Sequence, residues 1–314
     1  MARIGRERLV VMKSRTGANL HSFSPAGLYL RKGLAGDLDA LRRFLTVANE
    51  APYDLAAVAE EKCFGRGITG SPSTLLAVDG GDEIQGAVVT CGNAIRLLAV
   101  GRAVRHRGIG GALLAAAEER LQRKTQIVIA AEAGNYFTPG VVEGDQETLL
   151  FLQHRGYERS AETDNLAADV SGLDAIPSSR REPGLPFRAS HSLRAEALAF
   201  IEREFGRIWR FESEPAFDRD EPTMFLVQNG GAIAGFAAHD TNNRGLGFFG
   251  PTGVSRQSRG RGLGRLLLLA SLADLRTLGF SRVIIPWTDS LEFYRKSCGA
   301  LPEHRFVQLT KSHR

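Results

Sequence analysis

The chain carries one turn twice. Arg105-His106-Arg107-Gly108-Ile109-Gly110-Gly111-Ala112 is answered, 154 residues later, by Arg259-Gly260-Arg261-Gly262-Leu263-Gly264-Arg265-Leu266. Each turn follows an apolar stretch and runs straight into an apolar helical pattern. Successive backbone N–H groups at such a helix start form an anion site, and the helix dipole adds to it. Glycine lets a phosphate approach the backbone without a Cβ in the way. Flanking arginines add charge-assisted contacts. The repeat therefore predicts two phosphate-binding turns, one on each of two similar α/β units.

Two other phosphate turns do not fit. A nucleotide P-loop ends in Gly-Lys followed by Ser or Thr, and neither turn has that ending. The dinucleotide fold needs an acidic residue closing the next strand, and neither half supplies one in that context.

Composition narrows the class further. The 314 residues suggest two domains of about 150 residues each. The net charge of +5 gathers at the two turns and the N-terminus. An anionic small ligand accounts for it, so no nucleic-acid partner is expected. Cys63, Cys91 and Cys298 show neither metal nor disulfide spacing; no metal is expected, and the thiols read as small buried groups in a reducing compartment. No apolar run approaches a membrane span. Residues 1–26 lack the apolar core and cleavage site of a secretory signal. These points imply a cytoplasmic protein without a membrane partner, monomeric or homodimeric.

Periodicity sets the order of elements. In the first half a strand at Gly27–Arg31 precedes a helix capped by Asp37, and a second helix covers Leu55–Cys63. Strands over Thr74–Val78 and Ile84–Cys91 flank the hairpin signal Asp79-Gly80-Gly81-Asp82,. Ile95–Val100 enters the first turn, and Leu113, Leu114, Ala117 and Leu121 form one face of the helix leaving it,. A strand at Ile127–Ala131, a helix at Glu147–His154 and a closing strand at Asn165–Val170 complete the half. Residues 171–186, rich in Pro, Gly and Ser, read as a linker. The second half repeats the order. A helix over Leu193–Phe205 is followed by an irregular stretch, Trp209–Pro222. Strands at Met224–Gln228 and Ala232–His239 and a strand from Leu246 lead to the second turn. A Leu-rich helix, a strand at Arg282–Trp287, a helix at Asp289–Cys298 and a strand at Phe306–Leu309 follow. The expected division is a flexible tail over 1–26, domains over 27–170 and 187–314, and the linker between them.

The turns resemble the acyl-CoA loop of the GCN5-related N-acetyltransferase (GNAT) superfamily, Arg/Gln-x-x-Gly-x-Gly/Ala. Arg105, Gly108 and Gly110 match it, as do Arg259, Gly262 and Gly264. The resemblance implies an α/β chain of two tandem GNAT (acyl-CoA N-acyltransferase) domains. Each would be a mixed, mostly antiparallel sheet with splayed central parallel strands flanked by helices. It implies acetyl-CoA as co-substrate, its pyrophosphate held by Arg105, Arg107, Gly108, Ile109, Gly110 and Gly111, or by Arg259, Gly260, Arg261, Gly262, Leu263, Gly264 and Arg265. Gly253 and Val254, where the family's strand bulges beside the thioester, would supply backbone N–H groups to the oxyanion.

Amine acetylation needs a proton acceptor for the amine, donors for the oxyanion, and a proton or its equivalent for the leaving thiolate. In this family a tyrosine in the helix after the last parallel strand serves the sulfur. Phe293-Tyr294 ahead of Gly299-Ala300 supplies it in the second half, whereas Leu152 stands there in the first. The resemblance therefore makes the second domain catalytic through Tyr294 and the first non-catalytic. Asp289 is the candidate base. It competes with a capping role, since Asp289-Ser290-Leu291-Glu292 has the form of a capping box. His239 and Asp240 end a strand near the cleft. Glu212 and Glu214 lie in the segment that roofs the acceptor site in this family. Trp209, Trp287 and Phe249 are candidates for an apolar or sugar-stacking wall. Trp209, Glu212, Asp240 and Trp287 form the expected acceptor set.

The resemblance implies a small-molecule amine as acceptor. The entry Phe249–Val254 and the stretch Asn135–Val141 resemble bacterial two-domain glucosamine/glucosaminide N-acetyltransferases, which implies an amino sugar. Mycothiol-type, polyamine, antibiotic and protein N-terminal acceptors stay open, as does a tandem protein that senses acyl-CoA without turnover.

Overall fold

A computed structural model describes residues 11–13, 19–23, 27–173, 182 and 184–312. Most of the expected 1–26 tail, and residues 174–181 and 183 of the expected linker, lie outside the described residues. The chain forms two compact units, Met1–Glu132 with Thr310–Arg314, and Ala133–Leu309.

The first unit begins with strands β1 (Val11–Lys13), β2 (Asn19–Phe23) and β3 (Leu28–Lys32). The described part of the N-terminal stretch is thus paired strand, where a tail or one stray strand was expected. Helices α1 (Leu38–Ala48) and α2 (Ala59–Cys63) follow; α2 is shorter than the Leu55–Cys63 expectation. Then come β4 (Ser73–Val78), β5 (Ile84–Cys91), β6 (Ala94–Val100), α3 (Ile109–Leu121) and β7 (Gln126–Ile129). Adjacent strands from β1 to β6 pair antiparallel, and β6 pairs parallel with β7. β5 is apolar along nearly its whole length because α1 and α3 both pack on it,.

The second unit opens with β8 (Val141–Val142), α4 (Gln146–Gln153) and β9 (Glu158–Asp169). β10 (Phe187–Arg188), α5 (Arg194–Phe205) and α6 (Arg207–Ser213) come next. Of the stretch expected to be irregular, Trp209–Ser213 is therefore helical and Glu214–Phe217 a 3₁₀ turn, while 218–222 are irregular as expected. β11 (Met224–Asn229), β12 (Ala232–His239), β13 (Phe249–Val254) and α7 (Leu263–Thr277) follow. β14 (Arg282–Thr288), α8 (Leu291–Cys298) and β15 (Leu301–Ser312) end the chain.

β9 does not close the first half's sheet. It pairs antiparallel with β14, Ile284 opposite Ala167, and so belongs to the second unit. Conversely Thr310–Ser312 of β15 pair with β7 in the first unit. The contact boundary accordingly falls between Glu132 and Ala133, ahead of the composition-defined linker.

Alternation builds two cores on the β10–β13 sheet. Phe225, Val227 and Ala237 pack with Leu267, Leu268 and Leu272 of α7. The intervening Met224, Leu226, Phe236 and Ala238 pack with Leu198, Phe200 and Ile201 of α5. A period of two with both faces apolar is the mark of a strand buried on both sides.

Candidate active site

The site is set by two strands that part. β13 and β14 run parallel and meet at the bridge Phe248↔Ile284, where the Ile284 N–H donates to the Gly247 carbonyl at 2.9 Å. Beyond it β13 pairs with β12 and β14 with β9, and no β13–β14 pair occurs among the described residues. The opening between them exposes backbone donors. The Ser255 N–H donates to the Ala234 carbonyl at 2.8 Å. Antiparallel alternation then turns the Gly253 N–H toward β12 and the Thr252 and Val254 N–H groups toward the opening,. Of the two residues the sequence singled out, the Val254 N–H faces the opening and the Gly253 N–H faces β12. The extra residue of β13 lies at Gly250-Pro251, ahead of Gly253.

The two turns share one backbone. Gly262 caps α7 with φ 77°, and Gly108 caps α3 with φ 83°. Gly260 has φ 77°, and His106 at the matching place has φ 59°. Arg259 Nε donates to the Val254 carbonyl at 3.2 Å, and Arg105 Nε to the Val100 carbonyl at 3.4 Å. The first N–H groups of a helix lack an intrahelical acceptor; in α7 the Arg265 N–H already donates to the Gly262 carbonyl at 3.1 Å. Electrostatics separate the turns. Glu50 takes ion pairs from both Arg102 and Arg105, at 3.1 and 2.7 Å. Among the described residues no carboxylate pairs with Arg256, Arg259, Arg261 or Arg265, so the second turn keeps its full positive charge.

Tyr294 is buried, its ring packed edge-on against Phe249 and Phe293. Thr288, the last residue of β14, is the side chain that acts on its hydroxyl. Burial pushes the phenol up to about 12; the nearby Cys298 adds to this and Thr288 opposes it. Thr288 Oγ1 also accepts the Ser290 N–H at 3.1 Å. Its own proton is therefore free to face the Tyr294 oxygen, leaving the phenol proton for another acceptor.

The remaining candidates separate. Asp289 is exposed beside Thr288, with no ion-pair partner among the described residues. The expected capping box is absent. Ser290, not Asp289, is the N-cap of α8, and Glu292 pairs with Arg295 and Lys296 instead. Asp240 is buried, accepting the Gly245 N–H at 2.6 Å and pairing with Arg219. His239 is buried on the α7 face, its Nε2 2.7 Å from Asp274 Oδ2. Arg188 holds the same carboxylate. His239 is thus held in the core between β12 and α7. Trp209 stacks on Phe205 at 5.1 Å over Phe236, inside the α5 core. Glu214 pairs with Arg194 at 2.6 Å; Glu212 is half-buried on α6.

Trp287 sits in a built surround. Its ring meets Tyr136 edge-on at 4.9 Å. Asn242 and Asn243 hold the Tyr136 and Phe137 carbonyls at 3.0 and 2.9 Å. Gly134 lies against the Phe211 ring. Thr252, Thr288, Asn165 and the Asn242–Asn243 pair were not singled out by motif. Their role comes from strand register, which no single-residue pattern announces.

The first unit has the same parting strands. β6 meets β7 only through Ala94 and Ile95 among the described residues. Here, however, Arg96 fills the place that Gly250 holds in the second unit. Its guanidinium reaches Glu132, Lys62 O at 3.0 Å and Gly65 O at 2.7 Å, all inside the core.

A parting pair of parallel strands, ending in a glycine turn that caps a helix, defines an acyl-CoA N-acyltransferase fold. Residues 191–300 match the acetyltransferase (GNAT) family model. Mycothiol acetyltransferase of Geodermatophilus obscurus is 30% identical over 215 residues, covering 62% of this chain and 65% of that protein. The corresponding protein of Thermomonospora curvata is 28% identical over 187 residues, covering 58% and 60%. The chain thus spans less than two-thirds of these curated relatives. Among solved structures, the GCN5-related glucosamine N-acetyltransferase region of a fungal multi-domain β-N-acetylglucosaminidase superposes with a TM-score of 0.72. It is 18% identical and covers 91% of this chain and 38% of that one. A tandem GNAT protein of the clavulanic acid pathway gives 0.64 at 19% identity, covering 91% and 98%. These structural likenesses show a shared fold. No described helix is long and apolar enough to cross a membrane.

Proposed function

We propose that the second unit transfers the acetyl group of acetyl-CoA to a primary amine of a small molecule. The observation that carries this reading is the cleft between β13 and β14. On this reading it would join an un-neutralised Arg/Gly turn at one end to the Tyr294 phenol and the Thr252 and Val254 N–H groups further in. The turn residues Gly260–Arg265, with Arg259, would hold the diphosphate. The amine attacks the thioester carbonyl, forming the C–N bond and a tetrahedral oxyanion that the Thr252 and Val254 amides stabilise. Asp289 accepts the amine proton, directly or through water. Collapse breaks the C–S bond and leaves a thiolate.

The Tyr294 phenol stands above that thiol in acidity scale, at about 12 against about 8.5 for an alkyl thiol. Full proton transfer to sulfur would be uphill by about 5 kcal/mol. Tyr294 therefore acts as a hydrogen-bond donor to the developing thiolate, and solvent completes the protonation.

An amino sugar is the acceptor class we favour. The aromatic pair Trp287–Tyr136 suits the apolar face of a sugar ring,, and the relatives named above include a glucosamine N-acetyltransferase region. A mycothiol-type acceptor is the second choice, on the names of the curated relatives. We assign the first unit a non-catalytic role, because Arg96–Glu132 occupies its cleft and Leu152 replaces the tyrosine. Free-thiol release from acetyl-CoA across a panel of amino sugars, polyamines and aminoglycosides tests the reading. Acceptor-dependent release supports it, and none with any amine overturns it.

A further inference from the structure

We infer that Asn165 is a positioning residue of this active site, holding the β14 bulge that presents Thr288 to Tyr294; the inference rests on the reading above. Asn165 is fully buried on β9. Its Oδ1 accepts the Trp287 N–H at 2.9 Å. The pairing of β14 with β9 explains why a side chain is needed there. Ile285 lies opposite Leu166 and Thr288 opposite Asp164, so β14 advances three residues while β9 advances two. The extra residue is a bulge, and a bulged N–H loses its ladder acceptor. Trp287 also has φ 47°, in the left-handed region that an aromatic side chain adopts only under constraint,. Asn165 fixes the backbone of Trp287, and the Tyr136 ring fixes its indole.

What the bulge delivers is the next residue. Thr288 accepts the Ser290 N–H that begins α8, and acts on the phenol carried one turn along that helix. A register without the bulge would flip Thr288 to the other face of β14. The Tyr294 hydroxyl would then lose the partner that leaves its proton free. Asn165 thus acts through Thr288 and touches no reacting atom. It comes from the sequence half ahead of the linker, outside the 191–300 family match.

The test uses the full chain and free-thiol release from saturating acetyl-CoA with water as acceptor, so that it does not depend on the acceptor's identity. Asn165→Leu keeps the volume and removes the acceptor oxygen; Asn165→Asp keeps an oxygen. We expect Asn165→Leu to lower kcat roughly tenfold with KM for acetyl-CoA nearly unchanged, and Asn165→Asp to recover most of it. In a Tyr294→Phe background Asn165→Leu should cost almost nothing more, because both act through one hydroxyl. Thr288→Val, which leaves the buried Asn in place, should reproduce the loss if Asn165→Leu fails to fold. Equal losses in both backgrounds, or a wild-type rate for Thr288→Val, would overturn the inference. The chain has two tryptophans, so a Trp209→Phe background makes Trp287 the sole reporter. Asn165→Leu should red-shift its emission. If the wild-type chain releases no thiol with water or with any amine of the panel, the proposed function fails, and an unshifted Trp287 emission would separately sink the role of Asn165.

Discussion

Arg96 and Glu132 form a doubly bonded ion pair inside the first unit, with Nη2 to Oε1 at 3.0 Å and neither side chain more than 6% exposed. Three backbone carbonyls of residues 61–65 accept from its Nη1. A buried pair of this kind is costly to break by halves. Arg96→Leu leaves Glu132 uncompensated and should destabilise the first unit by about 3–5 kcal/mol. The double variant Arg96→Leu/Glu132→Leu should recover most of that loss. Calorimetric unfolding checks it; a double variant as unstable as the single one would contradict the account.

The second turn offers a binding test with the fold held constant. A Cβ added at Gly264 would meet only Phe293 and Val254 at 3.7–3.8 Å, ordinary contact distances. Gly264→Asp should therefore fold. Its carboxylate would face the diphosphate, and like charges at about 4 Å cost about 4 kcal/mol near a protein surface. Acetyl-CoA affinity by titration calorimetry should fall roughly a thousandfold. The matching change in the first unit, Gly110→Asp, should leave turnover in place, since Tyr294 and its turn lie in the other unit. Loss of turnover in Gly110→Asp with cofactor binding intact would reverse the roles given to the two units.

The sequence carried the turns and the hairpins because each is a local signal: glycines at left-handed positions and alternating apolar residues. It did not carry what depends on partners remote in the chain. β9 reads as a closing strand for its own half, yet its alternation serves β14 equally well. The capping box at Asp289 failed because Thr288 captures the Ser290 N–H and shifts the helix start by one residue. α6 was read as irregular because Gly206 and Pro215 bracket it. Asn165 looked like any polar residue on a strand, since its meaning comes from a bulge one strand away.

His239 gives a pH dependence whose sign follows from burial. Burial holds its imidazole below the ordinary 6.5, against the opposing pull of Asp274. The folded state therefore favours the neutral ring. Its contribution to stability is complete above about pH 6.5 and is lost as pH falls from there toward the folded value. Asp274, held at about 2, contributes above the carboxylate range and is lost only between about pH 4 and 2,. Arg188 and Asp240 are the other charges facing the ring. His239→Gln removes the titration while retaining an N–H for Asp274. Between pH 6.5 and 5 the wild-type melting temperature should fall more steeply than that of His239→Gln, by up to about 1.4 kcal/mol of stability per pH unit. Parallel curves would show that the ring does not titrate on unfolding.

Tyr294→Phe separates chemistry from packing. The ring stays in the core beside Phe249 and Phe293, so stability should change little,. A hydrogen bond to a charged group is worth about 1.5–3 kcal/mol, so loss of the donor to the thiolate should lower kcat by roughly ten- to a hundredfold. Acetyl-CoA affinity should hold, because the diphosphate contacts lie at the turn. The pH profile adds a second readout. With the phenol at about 12, it stays protonated through the working range. Tyr294 should then impose no falling limb on kcat below about pH 11. A wild-type profile that falls near pH 8–9, and loses that limb in Tyr294→Phe, would show a far more acidic phenol than burial allows. A wild-type rate for Tyr294→Phe at saturating acetyl-CoA would make the residue core alone, and the second unit would need another donor for its leaving group.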